Sequence, residues 1–137
     1  MGNPGREANR WGHLMAQFVA RKMNWSPAGD RKGNVFVATD GITVVKSAEV
    51  QNPAILVTGK MFPSLCSITL VKVSRDGSAS VYNVPRQLFS ELKKEASGKY
   101  RGKHWRFYTD DIAKKCKSIM YLLSQEVNKV RKEAKDC

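Results

Sequence analysis

Residues 34–50, NVFVATDGITVVKSAEV, decide the fold class. Two runs rich in β-branched residues, 34–38 and 42–46, flank Thr39-Asp40-Gly41. An Asp-Gly pair between such runs is a strong hairpin signal, because the tight turn needs positive φ. Asp40 therefore reads first as a turn residue. Working outward, the apolar run 54–58 predicts a third strand, and 59–64 predicts a loop. Residues 68–74 and 80–84 predict a second hairpin, with Arg75-Asp76-Gly77-Ser78 as its turn.

Helical patterns flank this β region. Over residues 7–25, Trp11, Leu14, Met15, Phe18 and Val19 share one helical face, and Arg10, His13, Gln17, Arg21 and Asn24 share the other. Ser26-Pro27-Ala28-Gly29 ends that helix. Pro85 suits the first position of a helix reaching about Ala96, with Leu88, Phe89 and Leu92 on its apolar side. Residues 97–107, SGKYRGKHWRF, read as a polar, basic and aromatic loop. Thr109 suits an N-cap, and Asp110 and Asp111 complement a helix N-terminus. Ile112, Cys116, Ile119, Leu123, Val127 and Val130 then predict one long C-terminal helix. Its apolar stripe would serve a core or a homodimer. The expectation is a single α/β (or α+β) domain over residues 1–137: an N-terminal helix, a mixed sheet of four to five strands, and two further helices.

The charge balance speaks to partners. The chain has 137 residues, with 24 Lys+Arg against 12 Asp+Glu, for a net charge of +12. The excess is shared equally between residues 1–90 and 91–137, so it does not belong to a basic tail. A cationic surface of this kind implies a polyanionic partner, most often nucleic acid. No apolar run approaches the ~20 residues of a membrane helix, so no membrane is expected. Cys66, Cys116 and Cys137 are odd in number and widely spaced, and only His13 and His104 accompany them. No metal site follows from that set, and the cysteines read as free thiols, Cys66 and Cys116 buried, in a reducing, intracellular and cytoplasmic setting.

Catalytic motifs are scarce: there is no G-x-S-x-G, P-loop or H-E-x-x-H. One resemblance does emerge over residues 9–92. Gly12-His13-Leu14-Met15-Ala16 in the first helix, Asn34-Val35-Phe36-Val37 in the first strand, the Asp40-Gly41 turn, and Val44-Val45-Lys46-Ser47-Ala48 ending the second strand resemble the PD-(D/E)XK nuclease superfamily. The 69–73 and 81–85 segments resemble that superfamily's following strands and the proline that opens its next helix. The resemblance implies a restriction-endonuclease-like core and a nucleic-acid surface, with DNA favoured over RNA. It also places His13, Asn34 and Val44 where the superfamily carries its acids, and Lys46 where it carries its lysine. With those acids replaced, Mg²⁺, which demands hard oxygen ligands, has no evident seat. The resemblance thus implies a nuclease-like fold without its metal.

Independently of that resemblance, residues 93–106 hold Lys93, Lys94, Lys99, Arg101, Lys103 and Arg106 against one acid, Glu95, with Tyr100, His104 and Trp105 interleaved. Cations neutralise phosphates and exposed rings stack on unpaired bases. The competing reading is a solvated loop whose Trp105 and Phe107 plug the core. The expected nucleic-acid contacts are Arg10, Arg21, Lys46, Lys93, Lys94, Lys99, Tyr100, Arg101, Lys103, His104 and Arg106. Two alternatives stand beside a binding protein without a cofactor. One is an active Mg²⁺-dependent nuclease using Lys46 with Asp40 or Asp30 as relocated acids. The other is a module for an acidic protein partner.

Overall fold

The computed structural model describes residues 4–28 and 34–135. Helix α1 (Pro4–Met23) is followed by strands β1 (Ser26–Pro27), β2 (Val35–Ala38), β3 (Gly41–Ala48) and β4 (Ala54–Thr58). A 3-10 turn (Gly59–Ser64) leads to β5 (Ser67–Val73) and β6 (Ala79–Pro85). A second 3-10 turn (Arg86–Leu88), helix α2 (Phe89–Leu92), β7 (Lys94–Glu95), a third 3-10 turn (Gly98–Tyr100) and β8 (His104–Tyr108) come next. Helix α3 (Thr109–Lys115), β9 (Lys117–Leu122) and helix α4 (Ser124–Lys135) complete the order.

The fold is α/β. Six strands form a mixed sheet in the order β1-β2-β3-β5-β6-β9, and β4-β8-β7 form a second sheet. The β3–β5 pair is parallel, and the other neighbours in the large sheet are antiparallel. The expected sheet of four to five strands is thus six strands plus a separate layer of three.

The hairpin at residues 35–48 forms with Ala38 opposite Gly41 and Val35 opposite Val44. Gly41 is needed there twice over. Its φ is +126°, and a Cβ would stand 2.5 Å from Cys66 Sγ. Alternation along β3 then sorts its side chains between two cores. Val45 joins Phe36, Val71, Val81 and Leu122 beneath α1 and α4. Val44 and Ala48 join Ile68, Leu70 and Val84 beneath the small sheet, α2 and α3. The large sheet is therefore a central layer, with α1 and α4 on one face and the three-stranded sheet on the other.

Trp11, Met15 and Val19 are buried on α1 as their spacing predicts, with Leu14 and Phe18 packed beside them. No helix among the described residues is long and apolar enough to cross a membrane.

Five expectations give way. Pro85 ends strand β6 opposite Ser67 rather than opening a helix of a dozen residues. Only one 3-10 turn and the four residues of α2 follow, because Lys93 turns extended and carries the chain into β7. Residues 97–107 are not one loop: a 3-10 turn at Gly98–Tyr100 leads to strand β8, which lies between β4 and β7. Thr109 is not a cap: Tyr108 occupies that position, and both the Thr109 amide and its hydroxyl donate to the Pro53 carbonyl at 2.9 and 3.3 Å. The long C-terminal helix is three elements. Cys116 turns extended, residues 117–122 pair with β6, and the chain re-enters helix at Ser124. The supposed stripe is divided accordingly. Ile112 lies in one core, Val127 and Val130 lie in the other, and Ile119 and Leu123 are exposed. It offers no single helical face to a homodimer. Cys66 and Cys116 are free thiols, half-buried rather than buried; Cys137 lies outside the described residues.

Candidate nucleic-acid interface

The small sheet is built mainly from AILVT (β4), in which burial alternates, and HWRFY (β8), in which Phe107 alone is fully buried. Ile55, Val57 and Phe107 point inward and are buried. Phe107 stacks on Phe62 at 5.9 Å between ring centroids, and Phe89 meets both rings edge-on at 6.2 and 5.4 Å. Trp105, also on the inner face, is half-buried with Phe62 at 6.4 Å. Trp105 and Phe107 do plug the core, as the competing reading holds. This inner packing fixes what faces outward.

The outward residues are Ala54, Leu56 and Thr58 on β4, His104, Arg106 and Tyr108 on β8, and Lys94 on β7. Register sets them in ranks. Leu56 faces Arg106, which faces Lys94; Ala54 faces Tyr108; Thr58 faces His104. The Arg106 guanidinium donates to Ser97 Oγ at 2.6 Å and to the Tyr108 hydroxyl at 3.2 Å. That bracing holds it across the sheet while leaving donors unused. Tyr100 meets the His104 ring edge-on at 5.0 Å, and Lys99 Nζ lies 5.1 Å from the Tyr100 ring. A cleft of about 610 Å³ opens here, lined by Asn52, Leu56, Ser97, Lys99, Tyr100 and Arg106 among others, and no carboxylate lines it. Gly98 takes φ +61° to turn the chain beside this cleft, with open space where a Cβ would stand. Arg101 and Lys103 are exposed between the 3-10 turn and β8.

The structure therefore brings together Lys94, Lys99, Tyr100, His104 and Arg106, with Arg101 and Lys103 exposed on the turn that precedes β8. Lys93 departs from the group: its ammonium sits 4.2 Å from the Trp105 ring centroid, toward the inner side. Arg10 and Arg21 belong to α1, across the large sheet from this surface. Leu56, Ser97, Asn52 and Tyr108 were not foreseen as site residues. The available signal was the alternation in residues 54–58, which leaves Leu56 outward between Ile55 and Val57.

The positions that resemble nuclease acids are placed differently. His13 Nδ1 and Asn34 Oδ1 are hydrogen-bonded at 2.8 Å, and Gln17 Nε2 meets His13 Nε2 at 3.1 Å. Asn34 lies just outside β2 at φ +58°, and its carbonyl accepts from the Val45 amide. Lys46 follows Val45 and so leaves β3 on the opposite face, between Val44 and Ala48 of the other core. Burial alone pulls its ammonium below the ordinary lysine range. Val44 is wholly buried. Asp40 is exposed in its turn, and Asp30 lies outside the described residues. Among the described residues no three His, Cys, Asp or Glu side chains gather as a metal site. The amide, imidazole and valine at these positions do not fit Mg²⁺.

No family model matches this chain, and no curated protein matches it.

Proposed function

We propose that this is a small basic nucleic-acid-binding protein and that its interface is the outward face of the three-stranded sheet. One observation carries the reading: the register that sets Leu56, Arg106 and Lys94 in a single rank. That rank turns a run of cations in the sequence into a directed surface, bordered by Lys99, Tyr100 and His104. Arginine and lysine neutralise phosphates, and each neutralised phosphate releases condensed counterions. The net charge of +12 supports the same reading. The resemblance to PD-(D/E)XK proteins favours DNA over RNA as the polymer. Binding rather than cleavage is supported by geometry: His13 and Asn34 engage one another on one side of the large sheet, and Lys46 leaves it on the other.

The test is a titration of labelled DNA at several salt concentrations, with Mg²⁺ present and the probe checked for cleavage. The Lys99→Ala, Arg101→Ala, Lys103→Ala triple variant is expected to flatten the log–log salt dependence by about 0.7–0.9 per lost phosphate contact. An intact probe is expected throughout. An unchanged slope removes the interface from this face.

A further inference from the structure

Resting on that reading of the outward face, the geometry points to single-stranded nucleic acid as the ligand, with an unpaired base seated in the cleft between Leu56, Tyr100 and Arg106. The arrangement of charge decides this. A duplex keeps its bases stacked inside and offers a partner its phosphates and groove edges. A face made for a duplex would place its cations where the surface stands proudest and would gain nothing from an apolar floor. Here apolar Leu56 and the Tyr100 ring line the cleft together with Arg106, whose guanidinium is held by Ser97 and Tyr108. Arg101 and Lys103 are exposed on the turn that leads into β8, and neither lines the cleft.

Exposure points the same way. Tyr100 is 37% exposed and Tyr108 is 36% exposed, although each is a large ring on a surface next to a well-packed aromatic core. Rings left in solvent beside unneutralised cations are stacking platforms for bases, and the stacking tolerates any base because every base has a π-face. The cleft, about 610 Å³, is open to solvent rather than enclosed, and its volume matches sites for small organic groups, ~300–1,000 Å³. That scale suits splayed nucleotides rather than a helix. The side-chain amide of Asn52, which also lines the cleft, carries both donors and an acceptor for a base edge. The phosphates on either side of the seated base then run toward Lys99 on one side and Lys94 on the other.

The experiment uses the full chain and three fluorescent probes of equal length: a single-stranded oligodeoxynucleotide, the same strand annealed to its complement, and a strand of abasic sites with the same phosphates. Anisotropy titrations are run at two salt concentrations. The single strand is expected to bind more tightly than the duplex, and the abasic strand roughly tenfold more weakly than the single strand. Tyr100→Ala is expected to weaken the single strand by roughly tenfold, to leave the abasic strand and the salt slope unchanged, and to be rescued by Tyr100→Phe. Tyr100 is exposed, so circular dichroism of the variant should match the parent. Salt-sensitive binding in which duplex or abasic probe equals the single strand overturns this inference and leaves the outward face as a phosphate-binding surface. Absence of binding to all three probes at low salt overturns the interface itself.

Discussion

Two sets of cations, one in each layer that flanks the central sheet, are held differently. In the helical layer, Lys22 and Arg131 are engaged. Lys22 pairs with Glu126 at 2.5 Å, tying α1 to α4. Arg131 reaches both oxygens of Glu49 at 2.5 and 2.6 Å and lies 4.8 Å from the Trp11 ring. In the β layer, Lys94, Lys99, Arg101, Lys103 and Arg106 form no ion pair among the described residues. Arg106 is braced by neutral hydroxyls instead. Neutral partners fix a guanidinium in place without cancelling its charge. The contrast teaches that the sign of a surface matters less than whether its charges already have counter-charges. Lys22 and Arg131 serve cohesion, and the cations of the small sheet keep their field.

The strongest way to break this contrast is to remove the packing beneath the open surface. Phe107→Ala deletes a wholly buried ring shared with Phe62 and Phe89. It is expected to cost about 3–5 kcal/mol in urea unfolding and to abolish binding by disordering the ranks above it. Binding that survives this loss would separate the interface from the small sheet.

A smaller effect sharpens the contrast at Lys46. Burial depresses its pKa in the folded state, so the unfolded chain binds the extra proton in the alkaline window between the two values. Stability should therefore rise with pH through that window and be lowest where lysine is charged in both states. Lys46→Met is expected to raise neutral-pH stability by about 1 kcal/mol, to remove the alkaline gain, and to leave the salt slope of DNA binding untouched. A flattened slope would return Lys46 to the interface.

The smallest effect lies in the helical layer. The hydrogen bond from Lys22, ahead of that from the Leu123 amide, holds the Glu126 carboxyl below its ordinary value. Its contribution is complete above the unfolded carboxylate pKa and is lost as pH falls through the depressed folded one. Glu126→Gln should cost about 0.2–1 kcal/mol at neutral pH, and that deficit should vanish in acid. It also frees Lys22. An unchanged salt slope is expected, because a free cation in this layer lies far from the ligand; a steeper one would extend the interface around the molecule.

The legible parts of this fold were the local ones. Asp40-Gly41 announces its own hairpin, and Trp11, Met15 and Val19 announce the buried side of α1, because turn chemistry and helical period act between near neighbours. The C-terminal region was misread because spacings of three and four also run through a strand flanked by two helices. Met120 and Leu122 alternate inward in β9, a period of two hidden inside an apparent period of 3.6. One local signal was overlooked: Glu126, three residues after Leu123, reaches back to accept from the Leu123 amide at 3.0 Å, and so marks a new helix start. The cationic segment is legible in composition but not in direction. Which cations face outward depends on pairing Ala54 with Tyr108, and no local rule links residues so distant in the chain. For the same reason Lys93 could not be told from Lys94 until Trp105 took its inner place.

The β4–β8 pairing also sets an order in time. The strand that floors the cleft is made early, within the crossover between parallel strands β3 and β5, and its partner comes only after β6 and α2. Closing so long a loop costs chain entropy before any contact rewards it, so the small sheet belongs to the slow, late part of folding. A ribosome must have released residues beyond Tyr108 before the face exists. A nascent chain of this protein thus carries its cations long before it carries the sheet that sets them in ranks, and completes that sheet as one of the last acts of its own assembly.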